Sequence, residues 1–236
     1  MDERSVWDPK AEEWAARIGD EGDDNRRYQS DPVLWRLAGE VKNLRVLDAG
    51  CGSGYLTLKL AARNAKAVGV DISPRMIEVA RRRAASRGAR VEYRVDDASK
   101  LATVPAGSID LVVSNYVLMD ANDLDGCAAA FARVLAPRGR AVCVFSHPCF
   151  ETCLPGPYFE EQQYEDRWGG FSGPFVVYHR PLSLYFAAFL AAGFAIEAFE
   201  EPVVPTPTPP ELDTARAAKF RQLPYSVALL LRKAGP

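Results

Sequence analysis

Residues 46–56 read "VLDAGCGSGYL", a short apolar run followed by a glycine-rich turn. Val46 and Leu47 suit a buried strand, and "YLTLKLAAR" after the turn carries the apolar spacing of a helix. Gly50, Gly52 and Gly54 let the chain reverse sharply and let a ligand approach the backbone. The spacing is G-x-G-x-G, which departs from the G-x-G-x-x-G of the dinucleotide fingerprint. On its own this turn also suits a tight strand-to-helix connection with no ligand, so the neighbouring sequence has to decide.

Working outward, short apolar runs alternate with helical stretches. "LRVLD" (44–48), "AVGVD" (67–71), "VEYRV" (91–95), "IDLVVS" (109–114) and "RAVCVF" (140–145) read as five strands. The helix "SPRMIEVARRRAASRG" has Ser73 as N-cap, Pro74 in its first turn and Gly88 past its end. Its Ile77, Ala80 and Ala84 fall on one face, which leaves Arg81, Arg82 and Arg83 mostly outward. The helix "LDGCAAAFARVLA" ends near Pro137 and Gly139. The alternation stops at 146–180, rich in aromatics, Gly and Pro. It resumes with "LSLYFAAFLAAG", "FAIEAFEE", a Pro-rich surface loop, a short helix and "SVALLLRK". Such alternation predicts an α/β fold, a doubly wound parallel sheet with helices on both faces.

The composition limits the partners. The chain has 236 residues, enough for one α/β domain with a lid, and a net charge of −2. The charge speaks against a polyanion, so no nucleic-acid partner is expected. The start is charged and no apolar run is long enough to span a bilayer, so no membrane partner is expected. Five cysteines without a secretory signal imply reduced thiols and a cytoplasmic location.

Three carboxylates sit where a nucleotide would need them. Asp71 closes the second strand, and its carboxylate can accept both hydroxyls of a ribose. After the third strand, Asp97 can accept from an adenine amino group while the Ala98 N–H donates to the ring. Asp48 precedes the turn and can order it around a bound amine.

In order and spacing, "VLDAGCGSGYLT", "GVDISPRMIEVAR", "DDASKL", "SIDLVVSNYVLMD" and "RVLAPRGRAVCVF" resemble the motifs of class I S-adenosylmethionine-dependent methyltransferases of the small-molecule type. The resemblance runs over residues 25–236. It implies a Rossmann-like methyltransferase fold: a seven-stranded, mostly parallel sheet with its last strand antiparallel, a helical cap over 1–40 and an insertion after strand five. The remaining boundaries are a cofactor-binding core at 41–146, a substrate lid at 147–182 and the rest of the sheet at 183–236, all within a single domain. It implies S-adenosylmethionine as cofactor and S-adenosylhomocysteine as product. Gly50 and Gly52 would line its amino-acid part, Asp71 its ribose, Ile72 and Met76 its adenine face, and Asp97 and Ala98 the adenine edge. Ser114 and Asn115 would lie beside the sulfonium. In the cap, Arg27 or Tyr28 would reach the methionine carboxylate.

Ser114-Asn115-Tyr116-Val117 lacks the paired prolines of exocyclic-amine enzymes, and Ser146-His147 lacks the oxygen ligands of the Mg²⁺-dependent catechol type. What remains is methyl transfer to O, N or C of a small, aromatic or heterocyclic metabolite of the kind found in secondary metabolism. The insertion's Phe150, Tyr158, Trp168, Phe175, Tyr178 and His179 would wall the acceptor pocket, with Phe159, Tyr164 and Phe171 among them. His147, at the end of strand five, is the candidate base, and Tyr116 and Asn115 face the transferred methyl. His147, Cys149 and Cys153 miss the spacing of structural zinc, so no metal is expected. Two other uses of the same fold stay open at this point. One is intramolecular alkylation of the cofactor's aminobutyrate arm; the other is a non-catalytic cofactor-binding subunit.

Overall fold

The computed structural model describes residues 3–149 and 156–234. The cap is α1 (Glu3–Trp7) and α2 (Ala11–Ile18), then a π-helical turn over Arg26–Ser30 that leads into α3 (Asp31–Ala38). The core follows as β1 (Arg45–Ala49), α4 (Tyr55–Ala62), β2 (Lys66–Asp71), α5 (Pro74–Ser86), β3 (Glu92–Val95), β4 (Ile109–Asn115), α6 (Leu124–Val134) and β5 (Leu135–Ser146). Then come β6 (Gln162–Asp166), β7 (Phe175–His179), α7 (Leu182–Ala191), β8 (Phe194–Glu200), α8 (Thr214–Gln222) and β9 (Ser226–Lys233).

Seven strands form one sheet in the order β3-β2-β1-β4-β5-β9-β8. The first five pair in parallel, while β9 runs antiparallel to both β5 and β8. Seven strands, mostly parallel, with the last one antiparallel, are what the family resemblance implied. Strand order reverses between β1 and β4, and a cleft opens there beyond the carboxyl ends of the strands.

Strand alternation builds two cores. Leu47, Val112, Cys143 and Phe145 face α6 and α7, where Phe131, Tyr185 and Phe189 are buried with them. Val46, Leu111, Val113, Val142 and Val144 face the other way, onto Leu34 and Leu37 of α3 and Leu56 and Leu60 of α4. A strand with both faces covered needs apolar residues throughout, which explains the unbroken runs in the sequence.

Three details differ from expectation. Strand five begins at Leu135, which already pairs with Ile109. A register shift before the Leu111–Arg140 pair absorbs Pro137 to Gly139, so the chain passes from α6 into the strand without a separate turn. The insertion is not wholly irregular: β6 and β7 form an antiparallel hairpin of their own. And the arginines of α5 are not idle on its outer face. Arg81 donates to the Tyr93 carbonyl and Arg82 pairs with Glu12 of α2. Arg83 bonds Ser53, the Gly19 carbonyl and Asp20 at the end of the cap. Among the described residues, no helix is long and apolar enough to cross a membrane.

Phe145 stacks on Tyr185 with ring centroids 4.2 Å apart, both within the larger core. Phe145→Ala is expected to cost about 3–5 kcal/mol, the usual range for a buried aromatic truncation. A lower urea midpoint with an unchanged denaturant slope would show this; no change would mean the site collapses to fill the void.

Candidate active site

A cavity lies over the carboxyl ends of the strands. Its floor is Asp48 and the turn Gly50–Ser53 after β1, Asp71 and Ile72 at the end of β2, Asp96–Ala98 after β3, and Asn115–Val117 at the end of β4. Trp7, Trp14, Ile18 and Arg26 of the cap close it from above.

The turn after β1 sets its shape. Gly50 has φ +77°, and a Cβ there would overlap the Val117 side chain. Asp71 holds the turn from the next strand: its carboxylate accepts the Gly52 N–H at 2.8 Å and the Ser73 N–H at 2.9 Å. Burial pushes the Asp71 carboxyl up to about 6 against those two bonds. Asp48 is buried below and accepts from the Thr57 hydroxyl at 2.6 Å. Burial, helped by the nearby Asp71 charge, raises it to about 7.

Asp97 and Ala98 reach the cavity. The Asp97 carboxylate also accepts from the Ser99 N–H and hydroxyl and from Lys100. Burial alone would raise its pKa, but the bonds from Lys100 and Ser99 outweigh burial and lower it. Its neighbour Asp96 bonds the Ala102 and Thr103 N–H groups and so ties the loop. Ile72 and Met76 add apolar wall. Asn115 lines the cavity with a buried Oδ1 that has no partner.

A second cavity adjoins the first. Trp168, Phe171 and Phe175 of the insertion line it, together with Tyr164, Met119, Ser146 and Tyr225. Trp7, Trp14, Arg26, Tyr116 and Asp120 line both cavities and form the wall between them. The Arg26 guanidinium lies over the rings of Trp14 (5.2 Å) and Tyr116 (5.1 Å) and pairs with Asp23 at 3.2 Å. Tyr116 has φ +58°, an uncommon conformation for an aromatic residue, which turns its side chain out of the strand. Its hydroxyl meets Asn25 and Ser226, and burial pushes it well above the usual phenol range.

A family described as a methyltransferase domain matches residues 40–170, more than half of the chain. The chain belongs to this methyltransferase family. A ubiquinone biosynthesis O-methyltransferase of Bordetella avium is 35% identical over 106 residues, covering 45% of this chain and 44% of that one. A demethylmenaquinone methyltransferase of Tropheryma whipplei is also 35% identical, over 48% of this chain and 46% of that protein. The chain thus spans less than half the length of these curated relatives. The fold is shared with an S-adenosylmethionine-dependent methyltransferase structure from Mesorhizobium loti, with a TM-score of 0.69 at 24% identity over 89% of this chain and 99% of that one.

Several residues expected in the methyltransferase site lie elsewhere. Tyr28 does not line the first cavity: it packs against Val204, Leu212, Ala217 and Phe220. The π-helical turn sends Arg26 inward instead, a pattern with no signature in the sequence. Ser114 is buried off the cavity, because strand alternation points it opposite to Asn115. His147 lines neither cavity. Its Nδ1 accepts the Cys149 N–H at 3.0 Å, its Nε2 lies 3.1 Å from Glu201, and its own N–H donates to the Tyr225 carbonyl. Burial lowers its pKa, against the pull of Glu201.

Of the expected acceptor-pocket residues, Trp168 and Phe175 line the second cavity. Tyr158, Tyr178 and His179 instead anchor the insertion. The Leu182 N–H donates to the Tyr158 hydroxyl, His179 Nε2 lies 2.8 Å from the Tyr158 carbonyl, and Tyr178 packs with Val6 and Val176. Phe150 lies outside the described residues. Trp7, Trp14 and Asp120 escaped sequence reading, since only the folded cap and the loop after β4 bring them together. Among the described residues no group of His, Cys, Asp or Glu is placed to hold a metal ion.

Two predictions follow from this geometry. Gly50→Ala is expected to displace Val117 and weaken S-adenosylhomocysteine binding by at least about tenfold, a loss of roughly 1.4 kcal/mol readable by calorimetry. The second concerns pH. An unfolded aspartate ionises near about 4, whereas folded Asp48 and Asp71 hold their protons to about 7 and about 6. The native state therefore binds more protons in that window, and the ligand-free protein loses stability as pH rises from about 4 through about 7. His147, lowered on folding, contributes in the opposite sense around its own titration. Denaturation across that range should show the decline, and Asp48→Asn should flatten it.

Proposed function

We propose that this chain binds S-adenosylmethionine in the first cavity and transfers its methyl group to a small aromatic molecule held in the second. The observation that supports this reading is that Trp7, Trp14, Arg26, Tyr116 and Asp120 line both cavities, so that ligands in the two would lie side by side.

The residues present suit that cofactor. Asp71 keeps lone pairs for a ribose diol beside the two N–H bonds it accepts. Ile72 and Met76 offer an apolar face for adenine, and Asp97 and Ala98 offer polar groups at its edge. Arg26 supplies a buried cation for a carboxylate, and the unpartnered Asn115 Oδ1 and the Asp48 carboxyl suit an ammonium group. The turn at Gly50 leaves backbone space that a side chain would fill.

When bound, the cofactor supplies an electrophilic methyl on a sulfonium whose charge disappears on transfer. The chain's part is alignment and exclusion of water. Trp14 lies 6.0 Å from Phe171 and 6.3 Å from Phe175, so cap and insertion share one aromatic layer. Holding two partners in line contributes on the order of 7–11 kcal/mol toward the barrier.

Asp71→Ala is expected to weaken S-adenosylhomocysteine binding by about tenfold or more, as the loss of hydrogen bonds to a charged group implies. Transfer of labelled methyl from S-adenosylmethionine to a panel of phenols, aromatic amines and heterocycles tests the rest. Tight S-adenosylhomocysteine binding without transfer to any of them would overturn the reading.

A further inference from the structure

Among the described residues five line both cavities, and their chemistry is unequal. Trp7 and Trp14 have no proton to exchange near neutral pH. Arg26 is a permanent cation with no lone pair to offer. Tyr116 stays neutral, its hydroxyl engaged by Asn25 and Ser226. Asp120 is the one carboxylate among them. The other carboxylates of the second cavity, Asp23 and Asp166, do not line the first. His147 is turned away toward Glu201.

The backbone around Asp120 is pinned from the insertion side. Buried Arg180 donates to the carbonyls of Ala121 at 2.9 Å, Asn122 at 2.8 Å and Leu118 at 3.3 Å. The Tyr178 N–H donates to the Met119 carbonyl at 2.8 Å, and the Asp120 N–H itself donates to Val117 at 2.8 Å. Four carbonyls flanking one carboxylate are thus satisfied by two neighbouring residues of the insertion. That arrangement fixes the backbone that carries the Asp120 side chain between the two cavities. Among the described residues, the charged and titratable groups nearby include Glu3, which accepts the Asn122 N–H, and Arg26, Arg180 and Tyr178.

We infer that the acceptor is a phenolic hydroxyl and that Asp120 receives its proton, with Arg180 the residue that positions Asp120. This rests on the cofactor and acceptor assignment proposed above. The chemistry favours a hydroxyl over an amine. A neutral amine already presents its lone pair, whereas a neutral hydroxyl is a poor nucleophile until its proton begins to leave. In the transfer the hydroxyl oxygen bonds the methyl carbon. The methyl–sulfur bond breaks with its electron pair passing to sulfur, and the hydroxyl proton passes to the Asp120 carboxylate and then to water.

The test uses 4-nitrophenol, whose absorbance reports its ionisation, bound to the full chain in the presence of S-adenosylhomocysteine. A carboxylate beside the hydroxyl favours the protonated probe, so bound probe should ionise about one pH unit higher than free probe, a tenfold change in its equilibrium. With S-adenosylhomocysteine saturating, Asp120→Asn should abolish that shift while the melting temperature is kept; Asp120→Ser serves if the first variant fails to fold. With labelled cofactor, either variant should lower turnover of a phenolic acceptor by about 10²–10⁴-fold. An unshifted titration in the wild-type protein, or the same shift in both proteins, would overturn the role of Asp120 alone. Failure of the wild-type protein to bind the probe, with S-adenosylhomocysteine still bound, would overturn the acceptor cavity itself.

Discussion

The site depends on how closely the turn after β1 approaches the segment after β4. Gly50 lies against the Val117 side chain with no room for a Cβ between them, at the point where strand order reverses. That contact lets the two strand ends define one cavity floor. It also aims the chain beyond Val117 toward the second cavity, so that Tyr116 and Asp120 stand between the two. Asp71 reinforces the same turn from β2 by accepting the Gly52 N–H. A parallel sheet places its strand ends side by side, and a small change in one turn moves the whole floor.

The roof is held differently. Cap and insertion are not part of the sheet, and they are fastened to it by side chains. Arg83 of α5 bonds Ser53 in the turn and also the end of α2, so one guanidinium ties the cap to the floor. Glu13 of α2 accepts from the Ser172 N–H of the insertion at 3.0 Å, and Asp8 accepts from the Ser73 hydroxyl at the start of α5. Arg180 fastens the insertion to the loop after β4. Exposed pairs among these are individually weak, whereas the buried Arg180 bonds to satisfied carbonyls are not. The roof is therefore anchored most firmly where Arg180 meets the loop after β4.

The sheet was legible because its signal is local. Apolar runs of strand length, glycine and N-cap signals, and carboxylates at strand ends are all written in consecutive residues. Asp48, Gly50, Gly52, Asp71, Ile72, Met76, Asp97, Ala98, Asn115 and Tyr116 all line the first cavity. Ser114 failed on a single alternation step. The errors lie in the roof. Tyr28 was displaced in favour of Arg26 by the wider winding of a π-helical turn, and Tyr158, Tyr178 and His179 serve as anchors where the sequence suggested an acceptor wall.

By itself the sequence determined the strand order's ingredients, the turn and the carboxylates, because hydrophobic periodicity and backbone freedom at glycine act over a few residues. Only the tertiary structure decided which aromatic rings close over the site and which acid faces both cavities. Trp7, Trp14, Asp120 and Phe175 are far apart in the chain, and their meeting depends on packing and on long-range bonds such as those of Arg83 and Arg180. His147 shows the reverse case. Its place at the end of β5 was readable, but the direction of its ring was set by Glu201, more than fifty residues away in the sequence.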